Sequence, residues 1–213
     1  RDMLTATTVS AQFGGAANFL IRSEVDGLFD GHVMHEDSCD EMAVNATKLF
    51  LGVNLECISC HDGAGHLEKI NLWLTQKKRV EFWRQAAFFG NIRIFRPTHD
   101  TQEFALLEGP PLRPESHWQG GGNGYSMDSP SVLRIARNKK ADVYPQFVLT
   151  QERPASGANL RVELARMLTS DLQFAKATVN LFWSHFMTVG IVDPPFAWDL
   201  DRQDPQNPPP APW

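Results

Sequence analysis

Hydrophobic residues recur at helical spacing in four stretches of the chain and lose that spacing between positions 91 and 158. The predicted helices span residues 40–52, 77–89, 160–168 and 171–187. Asp40 and Asp171 suit the N-caps of the first and last helices, and Gly52 and Gly90 suit the C-terminal ends of the first two. The pattern therefore predicts a mainly α fold.

The apolar faces of these helices indicate the expected core. The first helix has the face Met42, Ala46, Leu49 and Phe50, and the second has Val80, Trp83 and Ala87, with Phe82, Ala86 and Phe89 beside them. On the last helix, one face carries Phe174, Thr178, Leu181 and His185, and another carries Val179, Phe182 and Phe186. Stripes of this kind are typical of buried positions.

The middle of the chain is irregular. Short apolar runs at residues 92–95, 103–107, 131–135 and 146–150 alternate with Gly and Pro, which predicts short strands joined by long loops. The GGGNG run at 120–124 lacks the lysine and hydroxyl pattern of a phosphate-binding loop, so no nucleotide role is assigned to it. We expect three parts of one compact unit: residues 1–95, a loop-rich insert at 96–158, and C-terminal helices with a tail at 159–213.

The two ends indicate a piece of a longer precursor. Residues 1–12 look like the middle of a helix, and residues 204–213 form a Pro-rich run of the kind found in linkers.

Composition narrows the classes of partner. The net charge is −5 and spread along the chain, which argues against a nucleic-acid partner, because such proteins usually carry a basic patch. No apolar run reaches the 18 residues of a membrane span, and no signal peptide is visible. Neither a G-x-S-x-G nor an H-E-x-x-H motif is present, so a hydrolase is not expected.

The strongest chemical signal is the segment Cys57-Ile58-Ser59-Cys60-His61. This is C-x-x-C-H, the attachment pattern of c-type haem. Two thiols three positions apart reach the two vinyl groups of one porphyrin, and the following His61 supplies the proximal iron ligand. The sequence thus predicts one covalent haem c in a mainly α, c-type haem-binding helical domain. Haem attachment takes place on exported chains, so we expect a periplasmic location or one on the outer surface of a bacterium.

Two other interpretations of the cysteines stay open. Cys57 and Cys60 could form a thioredoxin-like redox pair, although the surrounding βαβ pattern is missing. Cys39, the third cysteine, could complete a Cys3His zinc site with the motif, although adjacent Cys60 and His61 reach one tetrahedral metal with difficulty.

The sixth iron ligand is open. His185, on an apolar helix face, and His35, ahead of the first predicted helix, are the leading candidates, and the lesser ones are Met34, Met42 and Met127. His66 lies only five positions after His61, and the chain between them is too short to pass around the porphyrin. His66 suits a hydrogen bond to a propionate instead. His99 and His117 lie in the loop region and are expected to be solvated.

Two stretches resemble a known family. FLGVNLECISCHDG, followed by a helix that ends in AAFFG, resembles the bacterial haem-motif domain of unknown function found with planctomycete-type cytochrome c domains. NLFWSHFMTVGIVDPP at 180–195 resembles the opening of the partner domain that follows it, and together the matched parts cover roughly residues 40–95 and 145–213. The resemblance implies an exported, haem-carrying, mostly helical protein. In one common form of the pattern, Asp and then His follow the haem histidine, whereas this chain has Asp62 and Gly63.

Three functions follow from the motif. The first is electron transfer with a redox partner protein such as another cytochrome, which predicts a six-coordinate haem indifferent to carbon monoxide. The second is a peroxidase-like haem enzyme, with His35 or Glu36 as acid or base above an open iron, although residues 35–37 also suit a solvated loop before a helix. The third is a structural subunit of a larger complex, filament or homo-oligomer, docking through Phe196, Trp198 and Trp213. We favour the first, an electron carrier rather than an enzyme.

Overall fold

The computed structural model describes residues 1–9, 14–26, 33–95, 104–109, 124–204 and 206. Within these residues it contains seven α-helices, three 3₁₀ turns and one two-stranded sheet, which confirms the mainly α class. The predictions for His99, His117, most of the Gly-rich run and the Pro-rich tail with Trp213 lie outside the described residues. None of the described helices is long and apolar enough to cross a membrane.

The helices are α1 (Asp2–Thr5), α2 (Asn18–Ile21), α3 (His35–Leu51), α4 (Leu72–Thr75), α5 (Arg79–Ala86), α6 (Leu160–Ser170) and α7 (Leu172–Met187). The 3₁₀ turns are Cys57–Ser59, Ala87–Phe89 and Leu200–Arg202. Strands β1 (Ile92–Phe95) and β2 (Ala105–Glu108) pair antiparallel, with Ile92 opposite Glu108. Thr8 adds one antiparallel bridge to Leu106 of β2.

Local signals located most helix ends correctly. Gly52 ends α3 with the left-handed φ of 67°, and a Cβ there would meet the Trp198 ring at 2.3 Å. Asp171 caps α7 by accepting the Gln173 N–H at 2.8 Å. The predicted helix at 77–89 is observed as α5 and the 3₁₀ turn that continues it to Phe89. Caps and left-handed glycines depend on nearby residues only, so the sequence predicts them well.

The start of α3 was predicted wrongly. The helix begins at His35 and not after Asp40, and Asp40 is buried within it. The interpretation of residues 35–37 as a solvated loop is also wrong, because Glu36 and Asp37 are buried in the first turn. Acidic residues in the first turn favour the helix dipole, and here distant basic residues make their burial tolerable.

Two of the four predicted strands do not form. Residues 131–135 and 146–150 are bends and turns. Their backbone N–H groups bind side chains instead of a neighbouring strand: Val132 donates to the Asp37 carboxylate at 2.7 Å, and Val148 to the Gln85 amide oxygen at 2.9 Å. The predicted strand at 103–107 is observed as β2, shifted to Ala105–Glu108.

The N-terminal segment is less helical than predicted for residues 1–12. Helix α1 stops at Thr5, and residue 8 lies on the edge of the sheet. Helix α1 packs against α6, where the fully buried Arg161 donates to the carbonyls of Leu4 and Ala6 and forms a salt bridge to Glu108. One guanidinium thus joins the first helix, the sheet and α6.

The core lies between α3, α5, α6 and the 3₁₀ turn after α5. Its largest fully buried side chains include Phe82, Phe88, Phe89 and Phe147. Burying an aromatic or aliphatic side chain of this size contributes roughly 1.5–3 kcal/mol each. The predicted apolar face of the second helix is therefore confirmed as core.

Candidate functional site

The C-x-x-C-H segment follows α3 after a reversal of the chain. Gly52 turns the chain out of the helix, and Glu56 comes back alongside it to pair with Lys48 at 3.1 Å. The next three residues form the 3₁₀ turn Cys57–Ser59, which contacts α5. Contacts with α3, through Lys48, and with α5 thus fix where the turn lies.

The turn leaves both thiols only partly buried, at the edge of the core. Ile58 is fully buried and anchors the turn, while Cys57 and Cys60 are half-buried and are not joined in a disulfide. The Cys60 N–H donates to the Cys57 carbonyl at 3.3 Å, so the two cysteines stand at the ends of one tight turn. Two reactive side chains therefore lie on the same turn at the surface.

His61 holds its ring in a defined orientation. Its Nδ1 lies 2.7 Å from the carbonyl oxygen of Asp62. A carbonyl only accepts, so Nδ1 is the donor in this bond and Nε2 takes no part in it. Iron-binding and zinc-binding histidines commonly use this arrangement, with one nitrogen donating to a carbonyl and the other binding the metal.

His66 lies beside His61 on the protein surface. The centroids of the two rings are 4.4 Å apart, with 44° between their planes. Two axial ligands of one iron stand on opposite faces of the porphyrin, so rings in contact cannot both be axial ligands. The ring contact favours the prediction that His66 is not the sixth ligand, and its role toward a haem stays a prediction.

The glycine after Asp62 is required by a close contact. A Cβ on Gly63 would lie 1.9 Å from the Leu74 carbonyl oxygen, and the Gly63 N–H donates to the Lys77 carbonyl at 2.8 Å. A histidine at this position, as in the common form of the resembling pattern, would not fit against α4. Close packing against α4 thus requires a glycine at this position of the chain.

Two arginines hold the turn from outside. Arg79 donates from Nε to the Ser59 carbonyl at 2.8 Å, and its backbone N–H donates to the Asp62 carboxylate at 2.8 Å. Arg134 donates to the Ser59 hydroxyl at 2.8 Å and pairs with Glu41 on α3. Sequence analysis missed both residues, because Arg134 lies 75 positions after Ser59 and carries no local signal.

Arg137, three positions after Arg134, enters a buried acidic cluster. Arg137 Nη2 lies 2.7 Å from Asp37 Oδ1 and 2.6 Å from Asp40 Oδ2. The Tyr125 hydroxyl donates to the other oxygen of Asp40. Burial outweighs the attraction of Arg137 and raises the pKa of Asp40 to about 6. Burial also raises the pKa of Tyr125.

His35 lies inside this end of the molecule. Its Nε2 is 3.0 Å from the Gly90 carbonyl oxygen and 2.8 Å from that of Gly124, so Nε2 is the protonated donor. Burial lowers the pKa of His35, which favours the neutral ring. His35 therefore joins the start of α3 to the backbone at Gly90 and Gly124. Glu36 beside it accepts the Ser126 N–H at 3.2 Å.

Cys39 lies apart from the other two cysteines. It is buried on α3, where its thiol contacts the Phe89 carbonyl at 3.5 Å, and burial raises its pKa well above the usual value. Among the described residues, no three His, Cys, Asp or Glu side chains are placed to hold a metal ion together. The Cys3His zinc alternative therefore finds no assembled ligand set.

His185 is exposed near the end of α7, contrary to its expected place on an inner face. Its ring meets Phe186 edge-on, with centroids 5.9 Å apart. The inward residues are instead Gln173, Ala177 and Asn180. Gln173 donates to the Leu51 carbonyl at 2.7 Å, and from the predicted apolar stripe Phe174 meets the Phe50 ring of α3 at 6.3 Å, so a polar anchor and one aromatic contact together join α7 to α3.

The three methionine candidates differ in their surroundings. Met42 is buried in the core on α3, Met34 is the half-buried N-cap residue of the same helix, and Met127 is half-buried. Within the described part of the chain, no hydrogen bond or ring contact joins any of them to His61. The identity of a sixth ligand stays a prediction.

An apolar groove has Lys48 in its wall. It encloses about 520 Å³ and is lined by Met3, Phe19, Arg22, Asn45, Lys48, Leu49 and Phe196. Grooves of this volume are in the range that binds small ligands. Lys48 links its wall to Glu56, the residue before Cys57.

No family model, no curated protein and no solved structure matches this chain. Its function is therefore argued from the geometry of the turn. The donor set suits a haem: two half-buried thiols at the ends of one turn, followed by an imidazole that keeps one nitrogen for a metal. The exposed side chains of Leu133 and Ile135, on either side of Arg134, add apolar surface next to the turn.

Proposed function

We propose that this chain is a c-type cytochrome domain with one covalent haem c, acting in electron transfer outside the cytoplasm. Cys57 and Cys60 form the thioether bonds, and His61 binds the iron through Nε2. The observation that carries the proposal is the turn itself, where the His61 Nδ1 is already committed to the Asp62 carbonyl. We also propose membership of the planctomycete-type haem-motif family, on the residues at 50–63 and 180–195.

When bound, the haem supplies a reversible one-electron couple. The residues of this chain determine its surroundings. The Asp62 backbone carbonyl accepts a hydrogen bond from the His61 Nδ1–H, which orients the ring and raises the basicity of Nε2. Arg79 and Arg134 hold the turn between α5 and α3, so the thiols and the imidazole keep their relative positions between redox states.

An electron carrier is favoured over a peroxidase-like enzyme. The enzyme needs an acid or base that is free to move a proton above the iron. His35 and Glu36, the predicted candidates, are instead engaged with the Gly90 and Gly124 carbonyls and the Ser126 N–H. An electron carrier needs a redox partner, and we propose another cytochrome outside the cytoplasm for that role.

The test is expression in the periplasm of a bacterium that carries the c-type haem ligation machinery. We expect the purified chain to keep one haem through denaturation, as seen by mass spectrometry and haem staining, and to show a low-spin spectrum that carbon monoxide does not shift. Replacing Cys57 or Cys60 by Ala removes one thioether bond, and replacing His61 by Ala changes the spin state.

Two matched controls separate the motif from its neighbours. Cys39→Ala leaves the haem content unchanged, because Cys39 is buried in the core apart from the turn. His66→Ala also leaves the proximal ligand in place. A wild-type chain without covalent haem, from cells in which a reference cytochrome is fully loaded, would refute the proposal. A high-spin spectrum shifted by carbon monoxide would favour the enzyme instead.

A further inference from the structure

Helix α7 exposes an unusually apolar outer face. The inner side is attached to the body by Gln173 and by Asn180, which exchanges hydrogen bonds with Val192. The outer side carries large apolar residues that are 46–75% exposed: Leu172, Val179, Phe182, Trp183, Phe186 and Met187. No described residue of the chain covers them.

The spacing of these residues is that of a helix-pairing seam. Leu172, Ala175, Val179, Phe182 and Phe186 follow one another at alternating intervals of three and four. That repeat places a continuous apolar stripe along one side of a helix and is typical of helices that pack lengthwise against another helix. The stripe extends over the full length of α7, so its occupant is an extended one.

The exposed area is large enough for a stable interface. At these degrees of exposure, the six large side chains present roughly 700 Å² of surface, above the roughly 300–600 Å² of the largest apolar patch on an ordinary monomer. A standard protein–protein interface buries about 800 Å² on each partner. One helix therefore supplies most of the surface that a dimer needs.

The charges on α7 do not attract a second copy of the same helix, but they tolerate one. The helix carries Lys176 and His185 and no acidic residue. In an antiparallel pair about an axis at Val179, each Lys176 faces Phe182 of the other copy, and the two lysines stay about 9 Å apart along the axis. A lipid surface is the weaker occupant, because membrane-binding helices carry several Lys or Arg on the polar face and the whole chain is acidic, at −5.

We propose that a second copy of this chain covers the outer face of α7, with the two α7 helices antiparallel about a two-fold axis at Val179. Such an axis makes the interface self-complementary, with the same residues contributed by both copies. The inference does not depend on the haem, because α7 is held to α3 by backbone and amide contacts on its other side.

The test is the molar mass in solution, measured by light scattering during size-exclusion chromatography over a range of concentrations. We expect twice the chain mass for the wild type and one chain mass for Phe186→Glu. Ile70→Glu is the matched control, because Ile70 is 70% exposed away from α7, and it stays dimeric. Circular dichroism confirms that each variant is folded.

A second measurement tests the axis. Val179→Cys forms a disulfide between two chains on mild oxidation, whereas Ile70→Cys does not. A wild-type chain that is a monomer at its highest soluble concentration would overturn the proposal. So would a monomer that floats with phosphatidylcholine vesicles and loses this binding in Phe186→Glu, since that result assigns the face to lipid.

Discussion

Helices α3 and α7 are almost equal in length, yet α3 buries charged side chains whereas α7 exposes apolar ones. Helix α3, with 17 residues, buries the carboxyl groups of Asp37 and Asp40, while α7, with 16 residues, exposes Phe182 and Phe186. The difference lies in what each helix meets. A buried arginine meets the acidic side of α3, and no described residue meets the apolar side of α7. Hydrophobic spacing identifies a helix, whereas its partner determines which side is buried.

The largest effect on this contrast is expected from removing Arg137, the cation that pairs with the acidic side of α3. Arg137→Met leaves Asp37 and Asp40 buried without their partner, and we expect the free energy of unfolding to fall by about 3–5 kcal/mol. Urea denaturation followed by circular dichroism measures the loss. Arg166→Met is the control: Arg166 pairs with Glu152 and Glu163 at the surface and should change little. Equal stability of the two variants would mean that the buried cluster is not ion-paired.

The same cluster predicts a dependence of stability on pH. The pKa of Asp40 is about 6 in the folded chain, against 3.8 for an unperturbed aspartate side chain. A raised pKa means that the folded state binds the proton more tightly than the unfolded state. The contribution of Asp40 is therefore complete below pH about 4 and is lost as the pH rises through about 6, a decrease of roughly 3 kcal/mol for two pKa units.

Denaturation midpoints measured at intervals from pH 4 to 7 test this expectation. Asp40→Asn removes the titrating group, so the decrease over this window becomes smaller in that variant. A wild-type profile that rises over the same window, with no difference from Asp40→Asn, would contradict the raised pKa.

A smaller effect separates the two histidines predicted as distal ligands. His35→Ala removes one donor from each of the Gly90 and Gly124 carbonyls, although Gly90 keeps its bond from Arg93, and we expect a loss of about 1–3 kcal/mol with no change in the haem spectrum. His185→Ala removes an exposed side chain and leaves stability unchanged. Thermal denaturation and absorption spectra of both variants provide the comparison, and a change of spin state in either one would identify it as the ligand.

The smallest effect is expected on the outer face of α7. Phe186→Gln alters a side chain that is 75% exposed, so at concentrations where single chains predominate the free energy of unfolding changes by about 0.5 kcal/mol or less. The buried counterpart Phe82→Ala costs about 3–5 kcal/mol. Denaturation of both at low protein concentration measures the difference, and similar losses would mean that the chain itself covers Phe186.

Part of the candidate site was predictable, because its residues are neighbours in the sequence. Cys57, Cys60 and His61 are consecutive or three positions apart, and the His61 ring bonds to the backbone carbonyl of the next residue, Asp62. The residues that hold this turn were not predictable. Arg134 reaches Ser59 from 75 positions away, and nothing in the spacing around position 134 indicates it; the run at 131–135 indicated a strand instead.

The sequence by itself determined what depends on a few adjacent residues: the spacing of the two thiols and His61, the left-handed glycine that ends α3, the Asp171 cap of α7 and the pairing-prone run of β1. The tertiary structure decided which sides are buried. Arg137 meets Asp37 from 100 positions away, and Gln173 meets Leu51 from 122. The physical reason is range: caps and turns close within a few residues, while the burial of a charge or an apolar face depends on whichever distant residue is brought against it.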